Sequence, residues 1–253
     1  MTQPTTPPTN SDKCLGTLYG IGVGPGDPEL LTLKALRRLQ SSPVVAFPAG
    51  LNGQVGVAER IITPWLADHQ QRLPLSFPYV LEAEQLSAAW QQAAQTVWPY
   101  LCSGDVVFAC EGDVSFYGTF TYLAQSLRLQ HPEVVVEAIA GVSSPMAAAA
   151  ALGIPLACQS QRLAVLPALY AVDELKSALA WADVIVLMKV SSVYSQVWQV
   201  LAERQLLERS YVVKNATRPD QKTYSGLQDY PDLKLPYFSL LVVQCGQRIV
   251  VTA

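Results

Sequence analysis

Short β-branched runs alternate with helical patterns along almost the whole of this 253-residue chain, and that alternation restricts its fold more than any other feature. An apolar lead at 15–19 is followed by strand-like runs at 44–47, 105–110, 134–139, 163–166, 184–188, 211–213 and 238–244. Helical spacing of apolar residues occupies 32–39, 55–66, 83–101, 119–130, 144–152, 172–181 and 192–207. Parallel strands need long crossovers and helices supply them, so the pattern predicts βαβ units, an α/β fold and a mostly parallel N-terminal sheet. Half of the residues are hydrophobic and only 15% are charged, which suits strands buried on both faces. The segment Gly153-Ile154-Pro155-Leu156-Ala157 has weak periodicity and holds both breakers, so it predicts α/β domains at 14–154 and 155–253. Residues 1–13, rich in Thr and Pro, read as a disordered tail.

Three loops stand where strands end. The first, Gly20-Ile21-Gly22-Val23-Gly24-Pro25-Gly26-Asp27-Pro28, has the strand–turn–helix setting of a dinucleotide fingerprint. It departs from that fingerprint at Asp27, which holds the place of the last glycine. An aspartate there would cap the following helix and set a negative charge where a diphosphate would sit. A phosphate-free nucleoside with a sulfonium group meets no such repulsion. The second loop is Cys110-Glu111-Gly112-Asp113-Val114-Ser115-Phe116-Tyr117-Gly118, and the third is Ala140-Gly141-Val142-Ser143-Ser144-Pro145. Strand C-termini line the crevice of an open α/β sheet, so the three loops are expected to converge. Asp113 and Ser144 have two uses open to them, contacting a ligand or capping a helix.

Composition excludes several classes. With 17 basic and 20 acidic residues there is no electrostatic footprint for nucleic acid. The five cysteines, at 14, 102, 110, 158 and 245, include no C-x-x-C pair, which argues against a disulfide framework or zinc site and fits a reducing cytoplasm. His69 and His131 stand apart in polar surroundings and read as surface residues. No signal peptide and no apolar run of membrane-spanning length is present, so no membrane role is expected. Ser143 is not in a G-x-S-x-G elbow, and no nucleophilic triad is visible.

Together, Gly22-Val23-Gly24-Pro25-Gly26-Asp27-Pro28, Glu111-Gly112-Asp113 and Gly141-Val142-Ser143-Ser144 resemble, in order and spacing, the tetrapyrrole methylases, S-adenosylmethionine-dependent enzymes of cobalamin and sirohaem synthesis. The resemblance spans about residues 15–245. Phe116-Tyr117-Gly118, Ser191-Ser192-Val193-Tyr194, Ala216-Thr217-Arg218-Pro219-Asp220-Gln221 and Pro236-Tyr237-Phe238-Ser239-Leu240 look most like the members that methylate C20 of precorrin-2. The resemblance implies two α/β domains, a cofactor cleft between them and a homodimer. It carries the cofactor contacts onto Pro25, Gly112, Asp113, Phe116, Ser143, Ser144, Met188 and Ala216. Ala140 replaces a proline usual in relatives, Val114 another, and Lys214 stands where an acidic residue is common.

The acceptor implied is a polycarboxylate, which calls for Arg and Lys. Candidates at strand ends and loops are Arg162, Lys189, Lys214 and Arg218, with Tyr117 as a hydroxyl beside the second loop. No general base is identifiable from the sequence. Besides C20 methylation, a same-fold methyltransferase for another position and a nicotinamide-dependent oxidoreductase remain to be weighed. Against the last stand Asp27 and a second strand ending in Ala46-Phe47-Pro48 rather than in an acidic residue.

Overall fold

The computed structural model describes residues 15–50, 54–78, 82–167 and 172–246, so the expected tail at 1–13 lies outside the described residues. The first half alternates β1 (Thr17–Gly22), α1 (Leu33–Ser41), β2 (Val44–Pro48), α2 (Val57–Ile62), β3 (Gln71–Leu75), α3 (Ala83–Leu101), β4 (Val106–Cys110), α4 (Phe120–Gln130) and β5 (Val135–Ile139). Its five strands form one sheet in the order β3-β2-β4-β1-β5, with every pairing parallel. Alternation across the pleat assigns each residue a layer. Leu18, Val44, Val106 and Phe108 pack with α3 and α4, whereas Tyr19, Ile21, Val45 and Val107 pack with α1 and α2. Each large side chain buried in this way contributes about 1.5–3 kcal/mol.

The second half contains α5 (Ser144–Leu152), β6 (Leu163–Leu166), α6 (Val172–Ala178), β7 (Val184–Met188), α7 (Tyr194–Glu203), β8 (Ser210–Lys214), β9 (Lys222–Ser225) and β10 (Ser239–Gln244). The order in this sheet is β6-β7-β10-β8-β9. Only β6 and β7 run parallel; β10 is antiparallel to both β7 and β8, and β8 to β9. The mixed sheet follows in part from connectivity: no helix separates β8 from β9, so the short link between them turns the chain back antiparallel, and β10 then pairs with the other edge of β8 in the same direction as β9. Helices α6 and α7 cover one face through Leu175, Val197 and Leu201. The other face is covered by α5, whose Ala148 and Ala149 pack with Val184, Val186, Val213 and Val242. Small alanines let this helix lie close to the sheet.

Asp27 does not cap α1. Its carboxylate accepts from the backbone N–H of Glu29 (2.8 Å) and closes a single 3-10 turn at Pro28–Leu30. Thr32 caps α1 instead, its hydroxyl accepting from the Ala35 N–H at 3.2 Å. The chain needs this extra turn because β1 ends five residues before the cap of the 3-10 turn and ten before the cap of α1.

Candidate active site

Parallel strands end on the same side, so the loops after β1, β2, β4 and β5 gather along one edge of the first sheet. Three of them meet main chain against main chain. Gly24 and Gly112 pair as an antiparallel bridge, N–H to carbonyl in both directions, at 3.1 and 2.9 Å. Both have left-handed backbones, φ +80° and +69°, which glycine adopts without cost. A Cβ on Gly141 would lie 2.5 Å from the Gly112 carbonyl oxygen and 2.6 Å from Gly22 Cα. A Cβ on Gly22 would meet the Gly141 nitrogen at 2.6 Å. These glycines are therefore required by backbone-on-backbone contact.

Asp113 fastens the second loop to the third. One carboxylate oxygen accepts from the Ser115 N–H (2.8 Å) and the Ser115 hydroxyl, and the other accepts from the Gly141 N–H at 2.7 Å. Partial burial pushes its pKa upward, but these three hydrogen bonds outweigh it and hold the carboxyl below its ordinary value. Asp113 thus ties loops together rather than capping α4, whose N-cap is Thr119. Ser143, at the N-cap of α5, makes no side-chain capping bond. Its hydroxyl is not spent on the helix.

The second sheet faces these loops with the ends of β7 and β8. The Thr217 hydroxyl accepts from the Asp27 N–H (3.1 Å), and Arg218 Nε donates to the Pro25 carbonyl (3.3 Å). At Gly26 the halves approach closely, since a Cβ there would lie 2.5 Å from Arg218 Cγ. The Arg218 guanidinium lies 3.9 Å from the centre of the Phe238 ring, and Lys189 Nζ lies 5.2 Å from that of Tyr237. Tyr117, Lys189, Asn215 and Thr217 all hold left-handed backbones. For a β-branched threonine this is costly, of order 1–3 kcal/mol, and such strain gathers at functional sites.

Between the two sheets lies a cleft of about 570 Å³, a size suited to a small-molecule ligand. All eight expected cofactor positions line it: Pro25, Gly112, Asp113, Phe116, Ser143 and Ser144 from the first half's loops and α5, and Met188 and Ala216 from the second sheet. Tyr117, Lys189 and Arg218 line it as well. Arg162 and Lys214 do not. Arg162 precedes β6, at the end of the sheet opposite Met188, and its guanidinium pairs with Asp183 at 3.3 Å. Lys214 shares a strand face with Val212, away from α5, and donates to the Lys234 carbonyl at 3.2 Å. The sequence reading also passed over residues that line the cleft. Phe77 and Trp90 form an aromatic wall, their ring centroids 4.6 Å apart. Glu111 follows the end of β4, and a charged residue directly after the apolar run 106–110 was its signal in the sequence.

Glu111 differs sharply from its neighbour Asp113. Burial pushes its carboxyl pKa up, against the opposing pull of Arg218, the Ala58 backbone N–H, Arg60 and Lys189. Burial in turn lowers the pKa of Arg218, partly offset by Glu111. Two carboxyls two positions apart thus have their pKa values moved in opposite directions.

The profile of the tetrapyrrole (corrin/porphyrin) methylases matches residues 17–229, which takes in the cleft residues from Pro25 to Arg218. The chain belongs to that family. It is 34% identical over 242 residues to the cobalamin biosynthesis protein CobIJ of Mycobacterium tuberculosis; the match covers 92% of this chain and 47% of CobIJ, so the chain spans about half the length of that relative. It is 33% identical over 230 residues to the cobalt-precorrin-2 C(20)-methyltransferase of Salmonella typhimurium, covering 90% and 96% of the two chains. The precorrin-2 C(20)-methyltransferase of a Sinorhizobium species is 32% identical over 241 residues, covering 90% and 95%. Among solved structures, the uroporphyrin-III C-methyltransferase of Thermus thermophilus complexed with S-adenosylhomocysteine shares the fold, with a TM-score of 0.61 at 22% identity. That match covers 90% of this tetrapyrrole methylase and 97% of the other chain.

Proposed function

We propose that this chain is an S-adenosylmethionine-dependent methyltransferase that places a methyl group on C20 of precorrin-2, metal-free or cobalt-loaded, in cobalamin biosynthesis. The observation that carries the cofactor is the convergence of Pro25, Gly112-Asp113 and Ser143-Ser144 on Met188 and Ala216 in one cleft. The site's chemistry fits the sulfonium nucleoside. Asp27 already occupies the N–H group that a dinucleotide phosphate would need, because it accepts from Glu29. Pro25, Met188, Ala216 and Leu240 supply apolar surface, while the Ser143 and Ser144 hydroxyls and the Gly112 backbone supply polar contacts. S-adenosylmethionine brings an activated methyl group, so the residues around it serve to align donor and acceptor.

The ring position rests on the names of the full-length relatives. On this reading Arg218 and Lys189, which line the cleft, would meet the acceptor's carboxylates, and Tyr117, Phe77 and Trp90, which line it too, would supply a hydroxyl and an apolar wall for a flat macrocycle. The same reading makes the enzyme a cytoplasmic homodimer; no described helix is long and apolar enough to cross a membrane. S-adenosylhomocysteine should raise the melting temperature, and NAD⁺ should leave it unchanged. Incubation with precorrin-2 and methyl-labelled S-adenosylmethionine should put the label on C20. Label on another carbon would overturn the ring position, and stabilisation by NAD⁺ alone would overturn the cofactor.

A further inference from the structure

The Glu111 carboxyl lines the cleft and ties no two elements together by an ion pair among the described residues. It takes the Ala58 backbone N–H and faces Arg60 from α2, Arg218 from the turn after β8, and Lys189 after β7. Among the described residues none of these closes an ion pair with it. Arg218 does not depend on it for position, since the Pro25 carbonyl and the Phe238 ring already hold that guanidinium.

On the reading proposed above, the reaction needs a proton acceptor. When a ring carbon that bears hydrogen takes a methyl group, its electron pair forms the new C–C bond, and the methyl–sulfur bond breaks to leave a neutral thioether. The carbon then carries both methyl and hydrogen. Loss of that hydrogen as a proton returns the C–H electron pair to the conjugated ring. We propose that Glu111 is the catalytic base that accepts this proton, its carboxylate becoming a carboxylic acid that later releases the proton to solvent.

Other candidates in the cleft are poorly suited. The Asp113 carboxylate spends its oxygens on three hydrogen bonds, which keep it acidic and a weak base. The Cys110 thiol is buried against Thr119, and desolvation keeps it protonated. No histidine lines the cleft among the described residues. Of the carboxyls lining the cleft, Glu111 combines freedom from any ion pair with an environment that raises its proton affinity, as a base working near neutral pH requires.

The test is Glu111→Gln, which keeps shape and removes basicity. It should bind S-adenosylhomocysteine as tightly as the unaltered enzyme, while kcat with precorrin-2 falls roughly 10²–10⁴-fold. The acidic limb of the kcat–pH profile should vanish with it. Infrared difference titration of the ligand-free enzyme against Glu111→Gln should show a protonated carboxyl titrating above the ordinary glutamate range. Turnover within about threefold of the unaltered rate, with the acidic limb retained, would overturn the proposal. So would parallel loss of S-adenosylhomocysteine binding, which would mark a structural role. If the unaltered enzyme binds S-adenosylhomocysteine but methylates nothing, the C20 reading fails instead. The infrared titration then still decides, because a Glu111 carboxyl titrating in the ordinary range removes the base.

Discussion

Replacing Asp113 with asparagine isolates the tie between the second and third loops, because the side chain keeps its shape and only one acceptor changes. In the native enzyme two carboxylate oxygens serve the N–H groups of Ser115 and Gly141. An amide has one oxygen, so either Gly141 or Ser115 must face an NH₂ group, donor against donor. One charge-assisted bond is lost at a part-buried position, which costs about 2 kcal/mol. For a chain of this size that lowers the melting temperature by about 4–8 °C. The released Gly141 belongs to the loop that presents Ser143 and Ser144, so S-adenosylhomocysteine should bind about tenfold more weakly, equivalent to about 1.4 kcal/mol of lost preorganisation. Thermal unfolding with and without the ligand measures both effects. The pH dependence has a definite sign. The Asp113 carboxyl is held below its ordinary 3.8, so its stabilisation is present above that value and is lost as pH falls through the depressed one. The stability gap between native enzyme and Asp113→Asn should therefore be constant near neutrality and close in strong acid. An unchanged melting temperature with unchanged ligand affinity would refute the reasoning.

Gly141→Ala should be worse than its small size suggests, because its Cβ falls about an ångström inside ordinary contact with two other loops. A cost of about 1–3 kcal/mol in denaturant titration and a marked loss of ligand affinity are expected. Gly153→Ala is the control, with a left-handed backbone but open space around the Cβ; it should cost about 1 kcal/mol and leave affinity intact. Arg162→Ala should leave substrate KM unchanged and stability within about 1 kcal/mol, since its exposed pair with Asp183 is remote from the cleft. Arg218→Lys should raise KM for the tetrapyrrole, because a lysine cannot reproduce the stacked, forked contact in steady-state assays. Tyr194, whose hydroxyl donates to the Tyr230 carbonyl, has its pKa pushed up to about 12 by burial and nearby Asp232. It must stay protonated in the fold, so its stabilisation is full below pH 10 and fades towards 12; Tyr194→Phe should flatten the alkaline limb of a stability–pH curve.

What the sequence revealed follows from which forces are local. The strand at 184–188 was legible because burial on both faces forces a continuous apolar, largely β-branched run. The helix at 144–152 was legible from its Ser-Pro start and its glycine stop, yet nothing in five successive alanines says which sheet they cover. β3 was hidden because it is an edge strand, largely exposed, with Pro74 inside it, and so lacks the apolar signature. β9 was hidden for the same reason, as Lys222-Thr223-Tyr224-Ser225 forms an edge that pays no hydrophobic penalty for water. The glycine loops could be located from spacing, but their mutual contact is long-range and emerged only with the sheet order. Arg162 and Lys214 were misplaced because a charge at a strand end can face either way, and only pleat and strand direction decide.

Helix α5 begins in the cleft at Ser144 but rests on the opposite sheet, so the polypeptide changes allegiance within the space of the third loop. Ser143 and Ser144 consequently ride with the second sheet, whereas Gly112 and Pro25 ride with the first. Any rocking of one sheet against the other becomes a change in the spacing of the very groups that grip a ligand. The Asp113–Gly141 bond lies on the first-sheet side of that joint and fixes the point from which the chain crosses over. On the proposed function, a cleft that takes a broad macrocycle beside a small nucleoside would thereby have a mechanical link between the width of its mouth and the firmness of its hold.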